Sequence, residues 1–208
     1  MKYLLLLFLF TASTASAEEV LKFRPDYWTK GLHLNAGMGP QSTYFVSDRR
    51  YNGIGYGVNF KTDLGYFFTN RFAIEWSTNA KFNSLNDFLI WDTLITGGIR
   101  YRIKEYFVRL FYGRAPTVVF FNGNIPEEYK GTKASRLQFD GPVYGLGFGR
   151  YYKTKKAGIW FLETAGTFQR LKEREAIYMR GEVPEIIARE EDRSTVFSLL
   201  FTVGMLVF

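Results

Sequence analysis

Cysteine is absent from all 208 residues, and histidine occurs once, at position 33. Without a thiol there is no disulfide framework, no cysteine metal centre and no lipid-modified cysteine anchor. A single imidazole makes no histidine-based metal site, and carboxylate-only sites are unspecific, so neither metal nor cofactor is expected. Long apolar runs are also missing. The run Tyr3 to Phe10 falls far short of the roughly 20 residues of a membrane-spanning helix, and no later window reaches that length. A dinucleotide loop is lacking too. Gly145-Leu146-Gly147-Phe148-Gly149 repeats glycine every second residue, whereas the phosphate fingerprint needs Gly-x-Gly-x-x-Gly between a strand and a helix. Glycine at that period makes room along one face of a strand.

What is present begins with an export signal. Lys2 supplies the positive start, Tyr3 to Phe10 the apolar stretch, and Ala15-Ser16-Ala17 a small-x-small cleavage site. Residues 1–17 are therefore expected to be a secretory signal peptide. Residues 18–30, with Pro25 and Trp28, are expected to be a periplasmic lead-in. The net charge of +7 then points toward envelope phosphates rather than nucleic acid. Aromatics make up 19% of the chain, with 21 Phe and 14 Tyr, beside 20 Gly. Such a composition without long apolar runs fits a β-barrel, whose apolar residues are diluted by alternation.

Alternation is the main signal. From Ile54 to Tyr66 the even positions are Ile, Tyr, Val, Phe, Thr, Leu and Tyr, while the odd ones are Gly, Gly, Asn, Lys, Asp and Gly. A period of two over this length means a strand with two unlike surroundings. The split returns with Phe72, Ile74, Trp76 and Phe82 against Ala73, Glu75, Ser77 and Lys81. It returns again with Trp91, Ile95, Ile99 and Ile103 against Asp92, Thr96, Arg100 and Arg102. Further runs cover 106–113, 144–149 and 160–169, and a shorter one sets Leu32, Leu34 and Met38 against His33, Asn35 and Gly37. The terminal run Ser194 to Phe208 completes eight, although both of its parities are apolar and its faces stay unassigned.

Eight strands with these faces predict an all-β fold, an eight-stranded antiparallel up-and-down transmembrane β-barrel over 31–208. A barrel of that size has an interior just wide enough for side chains to fill. The expected lumen network is Lys61, Asp63, Glu75, Lys81, Asp92, Arg100, Arg102, Arg109 and Glu163, whose opposite charges nearly balance. Short links are expected at 67–71, 104–105 and 153–158, and long loops at 40–52, 83–90, 116–136 and 171–193. Within the last loop, Pro184-Glu185 is placed to open a short helix through Arg189. Aromatic girdles are expected at one rim from Tyr66, Phe67, Phe68, Phe72, Tyr101 and Tyr106, and at the other from Phe82, Trp91, Phe120 and Phe121.

Export signal, alternating strands, alternating turn lengths and a terminal Phe208 together resemble the small outer-membrane barrels of OmpA/OmpX type. The resemblance implies the outer membrane of a Gram-negative bacterium, and Phe208 as a signal for the barrel-assembly machinery. Leu206 and Leu200 fit that signal's spacing; Gly204 and Thr202 do not.

Functional expectations follow from the loops and the one histidine. Arg49, Arg50, Lys130, Lys133 and Arg136 fall in expected outer loops, where they would meet lipopolysaccharide phosphates. A structural or surface-interaction role is the leading reading, and a wide pore is not expected. One alternative is a lipid-modifying enzyme with His33 as general base beside Ser42 or another hydroxyl. A third reading is a soluble periplasmic barrel holding an apolar ligand, which requires the apolar parity to face inward.

Overall fold

Strands with one apolar face and one polar face can satisfy both by closing into a cylinder, which also removes the sheet edges. That is the architecture of the computed structural model, described for residues 31–47, 52–85, 88–121, 133–154, 158–180, 183–188 and 193–206. The strands are β1 (Gly31–Ser47), β2 (Gly53–Phe67), β3 (Phe72–Leu85), β4 (Phe88–Ile103), β5 (Tyr106–Arg114), β6 (Thr117–Phe121), β7 (Lys133–Asp140), β8 (Pro142–Thr154), β9 (Gly158–Arg180), β10 (Val183–Ala188) and β11 (Arg193–Leu206). All pairings are antiparallel. The path β1-β2-β3-β4-β5-β8-β9-β11 returns to β1, giving a ring of eight.

The three remaining strands lengthen this ring without widening it. β5 and β6 share one ladder with β4, since Ile95 faces Arg114 and Asp92 faces Thr117 in unbroken register. Across the gap the Thr93 amide donates to the Pro116 carbonyl at 3.0 Å. β7 continues β8 in the same way around Gly141, whose carbonyl accepts from the Ala115 amide at 2.9 Å. β10 folds back along the far end of β9.

The expected long loops are therefore mostly strand. Pro40 to Ser47 belongs to β1, Asn83 to Leu85 to β3, and residues 171–180 to β9. The expected helix after Pro184 is replaced by β10. These segments read as loops because proline lacks a ladder donor and charge is unusual within a membrane strand. Outside the lipid both constraints relax. The short links hold at Phe68 to Arg71, where Phe72 O accepts from the Phe68 amide at 3.0 Å, and at Lys104-Glu105, where Lys104 takes a φ of 57°.

Orientation follows the parity of the sequence. Trp76 is 60% exposed, and Phe60 and Ile99 lie outside with it, whereas Lys61, Glu75 and Arg100 are buried. The soluble reading, which needed the opposite arrangement, does not fit. On β11 the outward set is Phe197, Leu199, Phe201, Val203 and Met205, and Ser198, Leu200, Thr202 and Gly204 face the lumen. Phe67, expected in an outer girdle, instead points inward and packs against His33 with ring centroids 4.6 Å apart. Phe121, the signal peptide, the lead-in and Phe208 lie outside the residues whose side chains are described.

The interior is layered. Near the short turns Phe67, Ala73, Phe107, Tyr151 and Phe161 form a small apolar floor. Toward the long hairpins Phe45, Leu85, Ile90, Leu94, Leu137, Phe139, Leu171 and Val196 form a larger apolar cap. Charged and amide side chains, together with a small cluster of Phe111, Ala165 and Leu200, fill the space between. Glycines let the walls approach at several points where a larger residue has no room. A Cβ on Gly57 would lie 1.7 Å from the Phe82 carbonyl oxygen, and one on Gly39 would lie 2.0 Å from that of Phe201.

Candidate functional site

All nine expected lumen residues face inward and are buried. Six form one network. Asp63 accepts from Arg109 at 2.9 Å and Arg100 at 3.1 Å, and lies 2.9 Å from the Lys61 ammonium. Arg100 Nε is 2.7 Å from Glu75 Oε1, Arg109 Nε is 3.3 Å from Glu163 Oε1, and Lys61 pairs directly with Glu163. Ser77 donates to Asp63 at 2.7 Å, and the Tyr151 hydroxyl meets Arg100. Three cations thus share three carboxylates, and their fields cancel within a layer closed to water above and below. Such a layer tolerates burial because every charge has an opposite neighbour. Arg100 and Arg109 also stand over the rings of Phe107 and Phe111, 4.3 and 4.4 Å from the centroids.

Lys81 and Asp92 form a separate pair at 2.9 Å nearer the cap, with Lys81 also donating to Ser198 at 3.0 Å. Arg102 lies near the short-turn rim, where its amide donates to the Arg71 carbonyl at 2.7 Å. The ninefold set is thus one six-membered cluster, one pair and one rim residue.

His33 joins the cluster from β1. Its Nε2 is 2.7 Å from Glu75 Oε1, and both side chains are buried. Ser42, the hydroxyl considered as its partner, stands on the opposite face of the same strand and nine residues along it (42 − 33), roughly 30 Å away at the rise of an extended chain. The structure does not bring the two together. Among the described residues no group of three or more His, Asp or Glu is placed to hold a metal ion.

Of the residues expected to meet lipopolysaccharide, Arg136 is exposed on β7, while the side chains of Arg49, Arg50, Lys130 and Lys133 lie outside the described residues. The outer wall carries cations that the sequence reading passed over. Along β9 the outward positions run Trp160, Leu162, Thr164, Gly166, Phe168 and then Arg170, Lys172 and Arg174. The neighbouring strands change at the same level, from Tyr112 to Arg114 on β5 and from Phe197 through Thr195 to Arg193 on β11. An aromatic row, Tyr112-Tyr144-Phe168-Phe197-Tyr44 in cross-strand register, marks the boundary.

No family model matches the chain, and no curated protein matches it in sequence. Among solved structures it is similar to Ail, the attachment invasion locus protein of Yersinia pestis, at 12% identity and a TM-score of 0.49, over 86% of this chain and 99% of that one. It is also similar to Neisserial surface protein A at 12% identity and a TM-score of 0.42, over 84% and 96%. A third is the translocator domain of the autotransporter NalP from Neisseria meningitidis, at 10% identity and a TM-score of 0.37, over 95% and 94%. The assignment of this chain as an eight-stranded transmembrane barrel stands on its closed ring and two-faced wall.

Two inward residues, Thr202 and Glu173, were not placed by the sequence reading. Thr202, on the strand whose faces stayed unassigned, is buried in the lumen and donates to Asn59 at 3.0 Å, while Asn35, Asn59 and Gln169 are buried on the polar parity that the alternation gave them. The buried Glu173 was counted as loop. Parity extended past the apparent loop boundary is the signal that finds Glu173.

Proposed function

We propose that this chain is a Gram-negative outer-membrane barrel with a plugged lumen, acting at the cell surface through its long hairpins as a structural or surface-interaction protein. The observation that carries the reading is the pairing of an apolar outer wall with a charge-neutral interior packed between two apolar layers. A wall of that kind is stable in lipid, and an interior of that kind has no continuous water path. The network is a structural core in this reading, holding the strands in register around a cross-section too narrow for diffusion.

Lipopolysaccharide is the natural neighbour of such a barrel, and Arg49, Arg50, Lys130, Lys133 and Arg136 are the loop cations offered to it. The barrel-assembly machinery is the expected partner during insertion, with Phe208 as its signal. The described residues sharing the parity of Phe208, such as Gly204 and Thr202, face the lumen, which sets this strand apart from the expected spacing.

Three measurements test the reading. Fractionation with a heat-modifiability gel should place the protein in the outer membrane as a folded band that shifts on boiling. Planar-bilayer recording should give no steady large-conductance channel; a persistent wide-pore current overturns the plugged-lumen part. Changing the five loop cations to Gln should leave the heat-modifiable band intact and weaken lipopolysaccharide binding. Unchanged binding removes the role of those loops.

A further inference from the structure

The described cations of the outer wall are unevenly placed. Toward the long-hairpin end, Arg114, Arg136, Arg170, Lys172, Arg174 and Arg193 are all exposed, and all stand on the half of the barrel built from β5 to β11. Over the same height, β1 to β4 expose no charged side chain among the described residues. Asp140 is the acid within this group. It pairs with Arg114 and, at 3.1 Å, with Arg174, so those two cations are already answered. Arg170, Lys172 and Arg193 make no ion pair among the described residues. They are neighbours, because Lys172 faces Arg193 and Arg170 faces Thr195 across the β9–β11 ladder.

The surface directly beneath them is indented. Under Phe168 and Phe197 lies Gly166, flanked in register by Leu199 and Leu146, with Ser42 beyond Leu199. The two small positions leave a groove walled by Tyr44, Tyr144, Phe168, Phe197 and the two leucines. A Cβ on Gly166 would meet nothing within 4 Å, so the space lies outside the wall and no neighbouring side chain fills it. Three cations without an ion pair among the described residues thus stand two to four residues above an aromatic-walled groove open to the acyl layer.

An occupant must bring anionic oxygens at headgroup depth and hydrocarbon immediately below. From this we infer that the β8-β9-β11 wall is a seat for one lipopolysaccharide molecule. A lipid A phosphate would lie on Arg170, Lys172 and Arg193, with an acyl chain across Gly166. Guanidinium and ammonium groups bind phosphate through charge-assisted hydrogen bonds, strongest where lipid excludes water. Placement at the long-hairpin end selects the outer leaflet, which is why lipopolysaccharide is preferred to a glycerophospholipid. This seat rests on the outer-membrane reading but uses none of the five loop cations named with it.

The test uses the full folded barrel in mild detergent, with native mass spectrometry against bis-phosphorylated lipid A and, separately, phosphatidylglycerol. Wild type should retain lipid A at least about tenfold better than phosphatidylglycerol. The triple change Arg170→Gln, Lys172→Gln and Arg193→Gln should lose about tenfold or more of the lipid A binding. Gly166→Leu, whose Cβ meets nothing within 4 Å and whose side chain enters the groove, should weaken it several-fold while the three cations remain. Heat-modifiability gels verify folding of each variant, and Arg170→Gln alone serves if the triple change misfolds. Undiminished binding by the cation variant, or equal binding of phosphatidylglycerol, overturns the inference. Undiminished binding by Gly166→Leu overturns the groove. A wild type that fractionates to the outer membrane yet ignores lipid A refutes this seat alone; one that fractionates elsewhere refutes the reading beneath it.

Discussion

Asp63 is the residue whose loss the lumen should tolerate least. Its carboxylate accepts from Arg109, Arg100 and Ser77 and lies 2.9 Å from the Lys61 ammonium. Asp63→Asn keeps the shape but leaves three cations, Lys61, Arg100 and Arg109, with the two carboxylates Glu75 and Glu163. One positive charge is then uncompensated in a layer that water does not reach. Breaking a buried pair by removing one partner typically costs about 3–5 kcal/mol. Asp63 serves more than one cation, so the upper part of that range is expected. Asp92→Asn should cost less, because Lys81 retains the Ser198 hydroxyl at 3.0 Å. The assay is reversible urea unfolding of the barrel from lipid vesicles, followed by tryptophan fluorescence. Adding Arg109→Gln to Asp63→Asn restores neutrality, with two cations facing two carboxylates, and should recover part of the loss. A cost below about 1 kcal/mol for Asp63→Asn, or a double variant weaker by the sum of the two single changes, refutes the charge-balanced lumen.

The wall and its close approaches yield further tests. Trp76, 60% exposed on the outer face, should be quenched strongly by lipids brominated along the acyl chain, and failure to quench would place it away from hydrocarbon. Gly57→Ala drives its Cβ to 1.7 Å from the Phe82 carbonyl oxygen and should abolish or sharply reduce the heat-modifiable folded form. Gly97→Ala meets nothing within 4 Å and should fold as wild type; equal behaviour of the two variants would contradict the strand spacing.

The middle of each strand was legible because lipid and lumen impose opposite chemistry on alternate residues. Ile54 to Tyr66 therefore shows its period openly, and Lys61, Glu75 and Arg100 carry the inward parity in the sequence itself. Beyond the lipid that contrast disappears. Pro40 sits in β1, yet Met38↔Val203 and Gln41↔Leu200 keep one register on either side of it. The ladder merely omits a bond there, and sequence reasoning took the omission for a loop. Phe45, Leu85 and Leu171 were counted as loop, so the apolar cap went unseen. The outward Arg170, Lys172 and Arg193 were hidden likewise, since only strand geometry tells that they share a face. His33 shows a different limit. The sequence gives its parity but not the Glu75 carboxylate that meets it from two strands away.

The most direct test of the two-faced wall exploits the absence of native cysteine. Single cysteines introduced through β2, β3 and β4, at Phe60, Trp76 and Ile99 on one parity and at Asn59, Ser77 and Thr96 on the other, can each carry a nitroxide label. Electron paramagnetic resonance in lipid vesicles then reads their contact with dissolved oxygen, which concentrates in hydrocarbon, and with a water-soluble nickel chelate. The first three sites should be oxygen-accessible and chelate-protected, and the last three shielded from both. High oxygen contact at Asn59, Ser77 and Thr96, with Phe60, Trp76 and Ile99 shielded, would mean the cylinder is inside out relative to this account.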